Sequence, residues 1–318
     1  VALAVAQLGA LATHSAGDGA SGRGSGLAAV PAVLHAEGPA ARDLGAYAGH
    51  GAWVDVYDLG SPGRSGGPPA EVTLDDLDGM AAAGVRTVYL QAAQDDGTGD
   101  PGVLDAETIG AFLVRAHQLG LRVVGWYLPR LSDVHRDLAH LRSVADFAVL
   151  GHRFDGVAVD IEWTDGVIDP AERSERLVEL SSRLRDQVGG DALGAIVLPP
   201  VQTDVVNPGL WPGFPWSELA ALYDVWLPMV YWTERRADSG YRDGAAYTGE
   251  NVARLRDHLG DADAAVHPIG GIGDEATAAD LAGYVAQLDA TGAIGGSVYD
   301  WATLDAGKRS QLAAALGP

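Results

Sequence analysis

The stretch FDGVAVDIEW, residues 154–163, is largely apolar yet carries Asp155, Asp160 and Glu162. Side chains alternate faces along a β-strand. Val157, Val159 and Ile161 therefore share one face, and Ala158, Asp160 and Glu162 share the other. Two carboxylates two residues apart stand about 6–7 Å from each other along a strand. At that range each raises the other's cost of ionisation, so one of them is expected to hold a proton near neutral pH. A protonated acid beside a stabilising carboxyl is the pairing that glycosidic bond cleavage needs. The alternative is a carboxylate pair satisfied by arginine or backbone amides at a solvent-facing strand end.

The elements around this stretch decide where the pair would sit. Short Val- and aromatic-rich runs read as strands at 52–57, 85–91, 121–127, 156–162, 193–198, 224–231, 264–269 and 294–299. Helical patterns fall near 73–83, 105–119, 133–150, 170–188, 216–222, 249–259, 275–290 and 306–315. Thr73, Asp105 and Asp133 are N-cap candidates, and Gly84 and Gly120 stand where helices should stop. Eight β-then-α units predict a single-domain α/β fold, a (β/α)₈ TIM barrel, over residues 49–318. A doubly wound sheet is the rival, but it rarely needs eight repeats. In a barrel the β-branched face of 157–161 packs against helices, and Asp160 and Glu162 point inward at the C-terminal mouth, where active sites form.

Residues 1–16 are apolar and small, similar to the hydrophobic region of a secretion signal; the bland reading is an ordinary N-terminal helix. Residues 17–48 are rich in Gly, Ala and Ser and read as a linker. Export to the cell envelope or beyond is the resulting expectation. No later apolar run approaches the ~18 residues of a transmembrane helix.

Composition excludes several chemistries. A net charge of −22 argues against nucleic acid and anionic membrane surfaces as partners. The absence of cysteine removes disulfides, thiolate metal sites and cysteine nucleophiles. The one lysine, Lys308, lies at a helix start, which sets Schiff-base chemistry aside. The nine histidines show no paired zinc spacing, and no Gly-x-Ser-x-Gly elbow occurs. Asp95, Asp96 and Asp100 depart from a calcium-loop spacing and read as a solvated loop. No cofactor and no metal are expected. The Gly-rich segment 267–277, HPIGGIGDEAT, offers a competing phosphate-binding reading and with it a phosphate-substrate isomerase or synthase. Asp274 and Glu275 would repel an anion there.

DGVAVDIE resembles the fourth-strand motif of the chitinase-like family 18 glycoside hydrolases, Asp-x-x-Asp-x-Asp-x-Glu. Asp155, Asp160 and Glu162 match, and Ala158 replaces the second Asp. The resemblance implies that Glu162 is the general acid and that Asp160 orients a substrate N-acetyl group acting as the nucleophile. LPMVYW, 227–232, is similar to the family's Met-x-Tyr, which gives Tyr231 a contact to that group. Trp232 stands where the family has Asp or Asn. GGSVYDWATL, 295–304, resembles the eighth-strand segment ending in a Trp that floors the sugar site, here Trp301 and displaced by one residue. The sequence is also similar to family 25 lysozymes, with Asp160, Glu162, Asp55 and Tyr127 at the matching places.

Flat rings with a polar handle suit sugars, which present apolar C–H faces and a rim of hydroxyls. Tyr57, Trp126, Tyr127, Trp163, Tyr231, Trp232, Tyr299 and Trp301 fall at strand ends, with Gln91, Asp55 and Asp300 as candidate hydroxyl binders. The expected function is a glycoside hydrolase acting on an extracellular or cell-wall polysaccharide. A carbohydrate-binding, lectin-like barrel is the alternative, and Ala158 is the point in its favour.

Overall fold

β-branched runs and amphipathic helical runs alternate along the chain, and the backbone follows them. The computed structural model describes residues 42–60, 70–95, 97 and 99–317. The export reading of residues 1–16, most of the linker reading and Asp96 lie outside the described residues. The strands are β1 Gly49–Val54, β2 Thr87–Gln91, β3 Arg122–Tyr127, β4 Gly156–Ile161, β5 Leu193–Val197, β6 Val225–Pro228, β7 Ile269–Ile272 and β8 Gly295–Tyr299. The helices between and after them are α1 Leu74–Ala82, α2 Ala106–Gln118, α3 Val134–Asp146, α4 Pro170–Val188, α5 Trp216–Ala220, α6 Gly244–Leu259, α7 Ala278–Thr291 and α8 Ala306–Leu316. The sheet runs β6-β5-β4-β3-β2-β1-β8-β7, with its ladders parallel. It closes through parallel bridges Trp226–Val266 and Met229–Ile269. This is the (β/α)₈ barrel expected from the sequence.

Local chemistry sets the ends of these elements. Thr73 and Asp76 form a capping box. Asp105 accepts from the Glu107 and Thr108 amides, and Asp133 from the Arg136 amide. Gly84 and Gly120 take left-handed φ values of 71° and 76° at helix exits.

The barrel floor is filled by Tyr47, fully buried in the 3₁₀ turn Gly45–Tyr47 that the sequence reading gives to the linker. Its hydroxyl donates to Val157 O at 2.7 Å. A Cβ on Gly156 or Gly194 would come within 2.7 Å of the Tyr47 ring or hydroxyl, so both strands need glycine there. Above it, His267 bonds Tyr47 O through Nδ1 (2.8 Å) and Ser297 Oγ through Nε2 (3.0 Å). Ser297 Oγ also accepts from Trp53 Nε1 (2.7 Å), and Trp53 stacks on Tyr89 at 4.4 Å.

Several elements differ from expectation; β1 is Gly49–Val54 rather than 52–57, and β6 ends at Pro228 rather than 231, so Asp55, Tyr57 and Tyr231 lie just past their strands. Helix 133–150 ends at Asp146, and a two-stranded ribbon, Ala148–Val149 with His152–Arg153, follows. Its turn residues Leu150 and Gly151 have φ 50° and 84°, the pair of positive values a tight hairpin requires. Helix α6 starts at Gly244 rather than 249 because its glycines serve contact with α7. A Cβ on Gly244 would lie 2.7 Å from Asp280 O, and one on Gly249 would lie 2.7 Å from Gln287 Oε1. Strand β7 lies later than 264–269, since Pro268 has no N–H to continue the earlier ladder.

Candidate active site

Alternation carries the acidic pair to the barrel mouth. Gly156 faces the Tyr47 ring inside the barrel, so Ala158, Asp160 and Glu162 also face inward. Asp160 is buried at 7 % exposure, and its Oδ1 has no hydrogen-bond partner among the described residues. Glu162 follows the last strand residue and keeps part of its side chain exposed. Burial pushes the Glu162 carboxyl up to about 7. Burial first, and the Glu162 charge second, hold Asp160 well above the usual carboxylate range. Both carboxyls are shifted upward, and the main cause is desolvation rather than mutual repulsion.

Tyr231 follows β6 and faces the same space. Its hydroxyl is raised by burial first and then by the charges of Glu162, Asp160, Asp300 and Asp55. The charges of four carboxyls, from the ends of β4, β8 and β1, thus bear on one phenol. Tyr299 lies beside it, with ring centroids 5.8 Å apart, and donates to Asp55 Oδ2 at 2.6 Å. Asp55 Oδ1 accepts from the Tyr57 and Asp58 amides at 2.7 and 3.2 Å.

Asp58 is a site residue that the sequence pattern does not single out, since it lies one residue past the run 52–57 expected to be a strand. In the fold it joins Asp55 and Asp300, all three buried, with carboxylate oxygens within 4.8 Å of one another. Asp58 Oδ2 accepts from the Asp55 amide (2.9 Å), and Asp300 Oδ1 from the Thr303 amide (2.9 Å). Burial, then Asp300 and Asp55, push Asp58 up to about 8. Burial also raises Asp300. Three such oxygens fit a shared proton, and as a hard-oxygen set they fit a cation equally well.

Other candidates divide. Tyr57 is exposed at 55 % beside this cluster. Gln91 is buried and accepts from the Val56 amide (3.0 Å), which shapes the loop after β1. Trp163, next to Glu162, is part-exposed with the Arg130 guanidinium 5.5 Å from its ring centroid. Three assignments to substrate are corrected. Tyr127 is fully buried, donating to Asp137 Oδ1 at 2.6 Å and stacking on His140, because its place on β3 turns it toward α3. Trp232 is fully buried between barrel and helices, against Tyr284 and the glycines of β7. Trp301 is buried at 3 % exposure under Arg309 and beside Gly79. By contrast Trp126, which pairs in register with Ala158, faces inward, its indole N–H without a partner among the described residues.

Asp155 is at the opposite end of β4, where its Oδ2 accepts from the Val123 amide (2.8 Å) and lies 2.9 Å from His117 Nε2. Asp95 pairs with Arg136 at 2.9 Å. The phosphate reading fails on geometry. Gly270 and Gly271 belong to β7, where an added Cβ would press on Trp232 and Thr233. Helix α7 opens later, at Ala278, under its own Thr277 cap. The Lys308 amine is engaged by Gly273 O (2.6 Å) and Asp274 O (3.0 Å).

No protein-family model and no curated protein matches the sequence. Solved structures do match by fold. A family 18 chitinase from Cycas revoluta, a variant in complex with (GlcNAc)₄, superposes with a TM-score of 0.61 at 12 % identity, covering 85 % of this chain and 100 % of that one. The C-terminal domain of a putative chitinase from Desulfitobacterium hafniense gives 0.60 at 12 % identity, covering 85 % and 98 %. A chitinase-like agglutinin from Robinia pseudoacacia gives 0.56 at 10 % identity, covering 84 % and 99 %. The chain therefore has the barrel fold of chitinases and chitinase-like proteins. Among the described residues, no helix is long and apolar enough to cross a membrane.

Proposed function

We propose that the protein is a glycoside hydrolase of 2-acetamido sugars in an extracellular or cell-wall polysaccharide, with Glu162 as proton donor. The observation that carries this reading is the pair at the mouth. Burial raises the Glu162 carboxyl to about 7, so it keeps its proton up to near neutrality, and beside it Asp160 presents a buried oxygen with no partner among the described residues. A buried orphan acceptor costs about 1–3 kcal/mol, which a substrate N–H would relieve. In this reading the acetamido N–H donates to Asp160, and its carbonyl oxygen attacks the anomeric carbon. The C1–O bond to the leaving sugar breaks as Glu162 transfers its proton to that oxygen. Water then attacks C1 and reopens the acetamido ring, giving its proton to the Glu162 carboxylate, with net retention. Tyr231 donates to the acetamido oxygen as it gains nucleophilic alignment.

The test is a matched pair of tetrasaccharides, one of N-acetylglucosamine and one de-N-acetylated. The reading expects cleavage of the first and not the second, with a β-anomer as first product by proton NMR. Equal cleavage of both would overturn substrate assistance. A second reading, a saccharide-binding barrel, is favoured by Ala158. It removes the carboxyl that the family motif places below Asp160, and a chitinase-like agglutinin shares the fold.

A further inference from the structure

Arg130 is a guanidinium built into the barrel rim, and among the described residues it has no acidic partner. Its backbone is fixed from several sides. Asp137, at the start of α3, accepts from the Arg130 and Leu131 amides at 3.2 and 2.8 Å. Leu131 takes a left-handed φ of 60°, and Arg176 donates to its carbonyl at 2.9 Å. The loop after β4 packs on Arg130 so closely that a Cβ on Gly166 would lie 1.9 Å from Arg130 O. The guanidinium itself lies over Trp163, the residue after Glu162, with Cζ 5.5 Å from the ring centroid. Among the described residues it makes no ion pair and no hydrogen bond. The nearby acids are directed elsewhere: Asp169 caps α4, and Asp165 and Asp169 bear on the buried Arg173. In a chain of net charge −22, an unpaired, half-buried arginine stacked beside the candidate acid is unusual.

Arginine offers a planar fork of donors that matches a carboxylate in two parallel bonds, and stacking on an indole holds the fork in place. We propose that Arg130, seated on Trp163, binds a carboxylate carried by a sugar next to the scissile bond, so that the preferred substrate is an acidic polysaccharide rather than a neutral one. This rests on the saccharide reading of the mouth and adds the charge of the substrate to it.

The experiment uses three tetrasaccharides: alternating N-acetylglucosamine and N-acetylmuramic acid with free lactyl carboxylates, the same compound with those carboxyls amidated, and the neutral N-acetylglucosamine tetramer. Cleavage is followed with the wild type, and binding is followed calorimetrically with wild type and Glu162→Gln. The wild type should favour the carboxylate over its amide by about 10- to 100-fold in kcat/KM, the range of a charge-assisted bond. Arg130→Gln should bring that ratio to within about threefold of unity, Arg130→Lys should keep part of it, and added salt should narrow it. A ratio near one in the wild type, or a ratio untouched by Arg130→Gln, overturns the inference. If no compound is cleaved, the hydrolase reading fails. The same ratio measured on dissociation constants then decides for or against Arg130 on its own.

Discussion

Replacing Glu162 by Gln should stabilise the protein at alkaline pH. An unperturbed glutamic acid ionises near 4.5, and burial moves Glu162 to about 7. The folded state therefore resists losing this proton more than the unfolded chain does, and stability falls as pH rises from 4.5 toward 7. One pKa unit corresponds to about 1.4 kcal/mol. The full gap is thus about 3 kcal/mol at pH 8, and under about 1 kcal/mol at pH 5, where the unfolded chain is only partly ionised. The exposed edge of the side chain lets water screen part of this, so about 2 kcal/mol is the working lower figure at pH 8. Gln keeps the shape and carries no charge at either pH. Urea unfolding of both proteins at pH 5 and pH 8 gives the comparison, with the midpoint shifting and the slope constant. A thermal scan at pH 8 should show the variant melting roughly 3–6 °C higher. A gain of equal size at both pH values, or no gain at pH 8, would refute the claim that burial keeps the proton on Glu162.

Three other outcomes follow from named contacts. Tyr299→Phe deletes the 2.6 Å donor to Asp55 and leaves a buried carboxylate oxygen bare, so urea unfolding should show a loss of about 1.5–3 kcal/mol. In Gly166→Ala the new methyl meets the Arg130 carbonyl at 1.9 Å; the loop after β4 must shift, and both the melting temperature and oligosaccharide affinity should fall together. His267 is pushed down to about 4 by burial from an ordinary 6.5, so the unfolded chain takes up its proton first as pH drops. Stability should then decline between pH 6.5 and 4 by about 3 kcal/mol for this group, and the decline should be shallower in His267→Gln.

Much of this molecule is legible in its sequence because barrel strands and helices are written in period. The stretch 156–161 alternates small or acidic with β-branched residues, and that alone places Asp160 and Glu162 inside the mouth. Capping residues Thr73, Asp105 and Asp133 carry their chemistry locally, so they too can be read directly. What stays hidden is set by contacts distant in sequence. Gly244 and Gly249 look like helix breakers until α7 is packed against them. Trp232 and Trp301 stand near strand ends as sugar-binding rings would, but only the third dimension shows that they turn into the helix layer. Asp58 gains meaning only when β8 brings Asp300 beside it. Arg130 is silent in the sequence because an arginine is conspicuous only once its lack of an acidic partner is known.

The most direct test of the central claim is release of reducing ends from N-acetylglucosamine oligomers and from peptidoglycan, with wild type and Glu162→Gln measured side by side. The account predicts release by the wild type, at a rate reduced about 10²- to 10⁴-fold in the variant, with oligosaccharide binding retained in both. Absence of release by the wild type on every substrate, with binding intact, would contradict it and establish a saccharide-binding barrel in its place.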